Sequence, residues 1–178
     1  MILLFGASGY IGSAFASALE TRELPFRAVP RGIYDDDDPE SLFNYLREHK
    51  PEFAINAAGF TGKPNVDACE SAHEETLRGN VELPDALATA FEKFDIPWVH
   101  ISSGCIYNGA KFSANGKTSV IEDLTTVRDQ LAATPEFFHG FTETDEPNFS
   151  FDNPPCSFYS GSKAKAEKAL EAFKQIYV

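Results

Sequence analysis

The chain has 178 residues, 43% of them hydrophobic, 13% aromatic and 24% charged. That composition excludes disordered, fibrous and collagenous classes and is long enough for one core that buries roughly two-thirds of the unfolded surface. Fifteen Lys and Arg against 27 Asp and Glu leave a net charge of -12, which argues against nucleic-acid and anionic-membrane partners but not against a phosphate held by a helix N-terminus. The cysteines Cys69, Cys105 and Cys156 are odd in number, far apart and without a CxxC pair. They predict neither a disulfide framework nor a zinc site, and point to a reducing, cytoplasmic setting. The apolar start Met1–Phe5 is broken by Gly6, too soon for a signal or a membrane span, and no later apolar run reaches spanning length.

In chain order, the pattern predicts a buried strand at Ile2–Phe5, a glycine turn, and a helix over Tyr10–Thr21. A second strand follows at Phe26–Val29, ended by Pro30 and Gly32. Asp38-Pro39 then reads as a cap with proline at the first helical position, opening a helix to about Lys50. Phe53–Ala57 is the next strand. Asp67–Phe94 is mainly helical with Pro84 as a break, and Trp98–Ser102 is the next strand after Pro97. Strands alternating with helices predict parallel βαβ units. From about 108 to 157 the chain is rich in Gly, Asn, Thr, Asp and Pro and reads as one long irregular insertion, with a helical turn or two within Val120–Ala133. Helical character returns at Tyr159–Phe173, and Gln175–Val178 begins another strand. No repeat or interdomain linker interrupts residues 1–178.

Gly6-Ala7-Ser8-Gly9-Tyr10-Ile11-Gly12 is a GxxGxxG pattern entered by a strand and left by a helix. Gly6 permits the turn, Gly9 lets the backbone approach a pyrophosphate, and Gly12 lets the helix pack on the strand. The N–H groups of the first helical turn supply partial positive charge. Ser8, Tyr10 and Ile11 fall within the same loop and join the candidate cofactor contacts. This context predicts a Rossmann-like α/β fold, a doubly wound parallel sheet flanked by helices, rather than glycines used only for a tight turn. Cofactor choice lies just after the second strand, where Arg31 suits the 2′-phosphate of NADP(H). NAD(H) stays open, because a surface arginine is the ordinary alternative. The acidic run Asp35–Asp38 lacks the spacing of a calcium loop and reads as a solvated face, so no metal site is predicted.

Tyr159-Ser160-Gly161-Ser162-Lys163 places Tyr159 and Lys163 at i and i+4, on one helical face. A lysine there favours the phenolate by its charge, and the phenol serves as the acid that protonates a carbonyl oxygen. Alone the pair is most often an ordinary surface contact; with the glycine loop and a hydroxyl in Ile101-Ser102-Ser103-Gly104-Cys105 it becomes specific. His49, His73, His100 and His139 have no metal or triad context. His100, close to Trp98 in a strand, reads as a packed residue, and His139 is the one to follow.

These motifs together resemble an extended short-chain dehydrogenase/reductase acting on nucleotide sugars, in the dTDP-4-dehydrorhamnose reductase group. The resemblance runs from Ile2 to about Leu170, apart from Lys111–Phe138. Phe60-Thr61-Gly62-Lys63-Pro64-Asn65-Val66-Asp67 with Cys69-Glu70-Ser71, then Gly104-Cys105-Ile106, Gly140-Phe141 with Glu143 and Asp145, Pro147-Asn148-Phe149 and Ser157-Phe158-Tyr159-Ser160, are similar to the bifunctional nucleotide-rhamnose synthases. Those are 3,5-epimerase/4-reductases. The resemblance implies that Ser103 orients the substrate carbonyl, that Asn80 supports the site from the long helix, and that Asn56, Ala57, Ala58 and Gly59 pass the cofactor. It implies a nucleotide-sugar substrate, with Lys163 also holding the cofactor ribose. By its similarity to GDP-fucose synthase, the Ser103 and Cys105 spacing implies a proton-exchanging thiol at the carbons flanking the keto group. The alternative for Cys105 is a small buried hydrophobe. Gly104-Cys105 stands where related dehydratases carry an acidic pair, which argues against water elimination.

The family continues for over a hundred residues more, so the chain reads as lacking the last strands and the C-terminal substrate domain. The exposed sheet edge this leaves predicts a second copy or a partner chain beside it. A non-catalytic NAD(P)-binding module is the alternative to an enzyme.

Overall fold

The computed structural model describes residues 1–34 and 38–178. Five strands form a parallel sheet: β1 (Ile2–Phe5), β2 (Phe26–Ala28), β3 (Phe53–Asn56), β4 (Trp98–His100) and β8 (Ile176–Tyr177), in the spatial order β2-β1-β3-β4-β8. Helix α1 (Tyr10–Thr21) carries the chain from β1 out to β2, and α2 (Pro39–His49) brings it back across β1 to β3. The winding therefore reverses at β1, and the crevice outside the carboxyl ends of β1 and β3 is where such sheets take ligands.

Alternation along the strands decides which helix covers which face. Leu3 and Phe5 of β1, Ala54 of β3 and Trp98 of β4 pack against Leu42 and Leu46 of α2, Leu87 and Phe91 of α4 (Leu83–Phe94), and Leu170 of α6 (Phe158–Leu170). Phe91 is the hinge of this layer, with ring centroids 5.9 Å from Phe5 and 5.2 Å from Trp98. On the other face Leu4 and Ile55 meet Leu19, Phe15 and Ala16 of α1.

The long helical stretch before β4 has a composite build. A 3₁₀ turn at Val66–Glu70 leads to α3 (His73–Leu77), a wide π turn at Arg78–Glu82, and α4. The break predicted at Pro84 falls one turn earlier. Proline has no N–H to give, and the wide turn ahead of it absorbs the mismatch, leaving Pro84 in the first turn of α4. Asp38 does stand before α2, yet its side chain makes no capping bond. The rest of the acidic run, Asp35–Asp37, lies outside the described residues.

The stretch expected to be irregular is so only from Gly140 to Ser157. It holds a three-stranded antiparallel sheet of β5 (Ala110–Ala114), β6 (Lys117–Ile121) and β7 (Phe138–His139), in the order β6-β5-β7. Asn115 and Gly116 both have positive φ, 52° and 72°, the conformation that closes a two-residue hairpin with the right twist. The helical turns expected within Val120–Ala133 are present from Leu124 and include α5 (Arg128–Ala133), while Val120 and Ile121 belong to β6. No helix among the described residues is long and apolar enough to cross a membrane.

Candidate active site

Three loops reach the same edge because their strands run parallel. The glycine turn follows β1, the Ala57–Gly59 loop follows β3, and Ser103 follows β4. Gly6 sits at φ +73°, and a Cβ there would lie 2.5 Å from Ala58 N and 2.6 Å from the Ala57 carbonyl, so only glycine lets the two loops touch. A Cβ on Gly12 would stand 2.0 Å from the Gly6 carbonyl oxygen. Its role is therefore close packing of α1 on the turn. Gly9 caps α1 without any side-chain bond, and ahead of it Ser8, Tyr10 and Ile11 are exposed, Tyr10 to 90%. An uncapped twelve-residue helix with bare first-turn N–H groups and an open, glycine-lined approach fits a dinucleotide phosphate. Arg31 is exposed just beyond β2, on the same edge.

Ser103 ends the β4 segment in an extended conformation, and its Oγ accepts from the Cys105 N–H at 3.2 Å, capping the 3₁₀ turn Gly104–Ile106. That turn packs against α6, which carries Tyr159 and Lys163. Burial pushes the Tyr159 phenol above its ordinary pKa, a hydrogen bond with the Ser103 side chain pulls it partly back, and Cys105 and Cys69 push it up further. The turn that carries Ser103 and Cys105 thus lies against the helix that carries Tyr159. Cys105 is exposed, unlike the packed hydrophobe that was its alternative. Ser102, the residue before Ser103, has a buried Oγ with no partner among the described residues.

The expected effect of Lys163 on Tyr159 is not what the structure shows. Lys163 is 4% exposed, and its Nζ turns toward the end of β4, donating to the Ile101 carbonyl at 2.9 Å and meeting His100 Nε2 at 3.3 Å. Burial lowers its pKa to about 8, with Glu167 opposing. The phenol therefore keeps its proton, which suits an acid better than a phenolate would.

Two other predicted residues take structural posts. Asn80, fully buried in the π turn, grips Phe60 at both backbone atoms, accepting from its N–H at 2.7 Å and donating to its carbonyl at 2.9 Å. It also donates to Ser162 Oγ at 3.1 Å. It pins the loop after β3 to α6 and does not line the site. Asn56 is likewise buried, its amide committed to Ala58 and His100, so it shapes the loop from beneath. Ala57 and Ala58 are half-buried and Gly59 is exposed.

His100 is packed inside, as its place in the strand predicts, but its polar partners were not foreseen. It is 1% exposed, and burial together with the positive Lys163 pushes its pKa down to about 3. Its partners lie 44 and 63 residues away in the chain, and no local pattern signals them. His139 sits exposed in β7, paired with Lys111 in the small sheet. Among the described residues no cluster of His, Cys, Asp and Glu is arranged to hold a metal ion.

A family model described as the RmlD substrate binding domain matches residues 1–178. The trifunctional UDP-glucose 4,6-dehydratase/UDP-4-keto-6-deoxy-D-glucose 3,5-epimerase/UDP-4-keto-L-rhamnose-reductase RHM3 of Arabidopsis thaliana is 32% identical over 175 residues, 98% of this chain and 22% of that protein. The bifunctional dTDP-4-dehydrorhamnose 3,5-epimerase/dTDP-4-dehydrorhamnose reductase of the same plant is 29% identical over 98% of this chain and 48% of its own length. Among solved structures, the L780 UDP-rhamnose synthase from Acanthamoeba polyphaga mimivirus has a TM-score of 0.72 at 26% identity. The match covers 97% of this chain and 52% of that one. The chain therefore spans about half or less of the length of these relatives.

Proposed function

The chain belongs to the RmlD substrate binding domain family, and from that membership and the geometry of its site we propose that it is the cofactor-binding part of a nicotinamide-dependent reductase of a nucleotide-linked 4-keto-6-deoxyhexose. The observation that carries this reading is the packing of the turn that follows Ser103 against α6, which bears Tyr159, on the sheet edge that also carries an uncapped helix behind a glycine turn. The names of the relatives, UDP- and dTDP-linked rhamnose enzymes, support the substrate class.

A nicotinamide dinucleotide, when bound, would supply hydride to the carbonyl carbon. The first-turn N–H groups of α1, reached over Gly9, would hold its phosphates, and Arg31 beyond β2 would favour the 2′-phosphate form, NADP(H). Ser103 donates to the keto oxygen and orients it. Tyr159, kept protonated by burial, gives that oxygen its proton as negative charge develops there. Cys105, exposed and beside the phenol, moves protons at the carbons next to the carbonyl, where the keto group makes them acidic. That is the epimerase half of the reading.

The test is NADPH oxidation with dTDP- or UDP-4-keto-6-deoxyglucose by the full-length protein. Tyr159→Phe should lower turnover by about 10²–10⁴-fold while cofactor affinity stays largely unchanged. Absence of turnover on either sugar, with activity on an unrelated ketone, would end the sugar assignment.

A further inference from the structure

Beneath Tyr159 runs a buried polar chain whose hydrogens can be counted. It starts at the backbone, where the Ala58 N–H donates to Asn56 Oδ1 at 3.0 Å. That bond fixes which side of the amide faces inward, and it leaves the NH2 group for the other neighbour. The neighbour is His100 Nδ1, 3.0 Å away. An amide NH2 offers no lone pair, so Nδ1 must accept and carry no proton. A neutral imidazole then has its hydrogen on Nε2. Nε2 faces Lys163 Nζ at 3.3 Å, and Nζ also donates to the Ile101 carbonyl at 2.9 Å. Asn56, His100 and Lys163 are exposed by 0%, 1% and 4%, so water does not relieve a mismatch cheaply.

An ammonium has three hydrogens and no acceptor. While Lys163 is charged, the Nε2–H and the ammonium present donor to donor. Moving the ring hydrogen to Nδ1 would cure that contact and create the same fault at Asn56, whose NH2 is held in place by Ala58. Only a neutral amine removes the donor–donor contact at both ring nitrogens, its lone pair taking the Nε2–H while one N–H stays on Ile101. We propose that Asn56 and His100 are positioning residues that set the hydrogen-bond polarity around Lys163 so that it gives up a proton readily. Nζ is turned to β4, and the proton it releases is the one that a phenolate left at Tyr159, one helical turn along α6, needs, an O–H bond forming as an N–H bond breaks. The amine produced is the form that His100 is built to bond. For its purpose the inference rests on the reading of Tyr159 as the acid; for its geometry it does not.

The other titratable groups on the elements packed against α6 leave this assignment to His100. Glu167, one turn along α6, holds the proton on Lys163 and so works in the opposite direction. Cys69 and Cys105 act on Tyr159. Glu70 accepts from the Phe158 N–H at 2.7 Å, and His73 stacks on the Phe158 ring. Arg78, Glu82, Asp85, Glu92 and Lys93 of the long helix are exposed.

Nitrogen-15 NMR on the chain reads the protonation of both ring nitrogens and of Nζ without any substrate. The expected result is a neutral His100 with its hydrogen on Nε2 from about pH 6 to about pH 9. In Asn56→Asp the second oxygen replaces the NH2 while the first keeps Ala58. The ring hydrogen should move to Nδ1, Nε2 should accept from Nζ, and the Lys163 midpoint should rise by about one unit or more, a tenfold gain in proton affinity. The same change in a His100→Leu background should lose most of that rise, since only the charge remains. A wild-type ring with its hydrogen on Nδ1 overturns the proposal even if both variants misfold. So does an equal rise with and without the ring. These readouts stand or fall apart from the reductase assay.

Discussion

The parallel layer and the 108–157 stretch solve the problem of staying folded in different ways. In the parallel layer Leu3, Leu4, Ala54, Leu87, Phe91 and Trp98 are buried almost completely. In the other region no residue from Tyr107 to Phe149 is buried. What holds it is a set of pins. Asn148 pairs with both backbone atoms of Asn108 at 3.0 and 2.9 Å, and the Tyr107 hydroxyl donates to the carbonyls of Asp145 at 2.8 Å and Thr142 at 3.1 Å. Lys111 meets Asp145 at 2.6 Å, while Tyr107 stacks on Phe141 with centroids 4.8 Å apart. Burial of apolar area scales with the number of residues inside, and a dry layer opens only as a whole. A pinned surface layer opens locally at far lower cost. The hydroxyls of Ser103 and Tyr159 thus stand on the stiff part, and the soft part meets the turn beside them through the Phe149 N–H to Ile106 carbonyl bond, 3.0 Å.

The sharpest way to break this contrast is truncation in each region. Trp98→Ala removes a side chain 1% exposed and should cost about 3–5 kcal/mol, read as a lower urea midpoint. Phe112→Ala in β5, half-exposed and touching Phe138 at 5.0 Å between centroids, should move that midpoint far less. Equal losses would mean that the two regions unfold as one.

Acid should separate them next, and His100 sets the sign for the stiff part. Its folded pKa lies near 3, well below the ordinary 6.5, so between those values the unfolded chain binds the extra proton. Its contribution is fully present above about pH 6.5 and is lost as pH falls toward 3, with a limiting slope of ~1.4 kcal/mol per pH unit. Unfolding free energies measured from neutral pH downward should show that slope, and His100→Leu should flatten it. An unchanged slope in the variant would place the lost stability elsewhere.

The same division explains what could be read from the sequence. Helix α1 is bounded as predicted, Tyr10–Thr21, because an apolar strand, three glycines and a helical period all constrain it locally. The hairpin of the soft region was overlooked although Asn115-Gly116 announces it. In β5 Ala110, Phe112 and Ala114 do alternate with Lys111 and Ser113, but Lys117, Thr118 and Ser119 give β6 no matching apolar face, and neither face of the hairpin is buried. Ser103, Cys105, Tyr159 and Lys163 were legible as motifs with fixed spacing. His100 was not, because its meaning lies in two contacts that only the fold makes. The inward turn of Asn56 escaped for the same reason, a side chain's direction being settled by packing and not by position in a motif, whereas for Asn80 the resemblance had implied a supporting place.

Asp145 gives the smallest and most local effect, and it is the one that isolates the soft region. Its carboxylate accepts from Lys111 Nζ and from the Thr142 N–H, both at 2.6 Å, and from Thr142 Oγ1 at 2.9 Å. The Lys111 bond first, then the Thr142 N–H, hold its pKa down to about 2 from 3.8. A depressed carboxyl contributes above its unfolded pKa and loses that contribution as pH falls through the folded one. Its share is therefore complete above about pH 4 and gone near pH 2, well below the range in which His100 acts. Asp145→Asn keeps the shape but surrenders the charge, so each of the three bonds weakens while none of the buried layer is touched. Amide exchange across Tyr107–Phe149 should quicken in this variant above about pH 4 and match the wild type near pH 2, with the amides of β1, β3 and β4 unchanged at both. If the strand amides quickened together with the insertion, the pins would be carrying the sheet as well, and the two regions would have to be treated as a single cooperative unit.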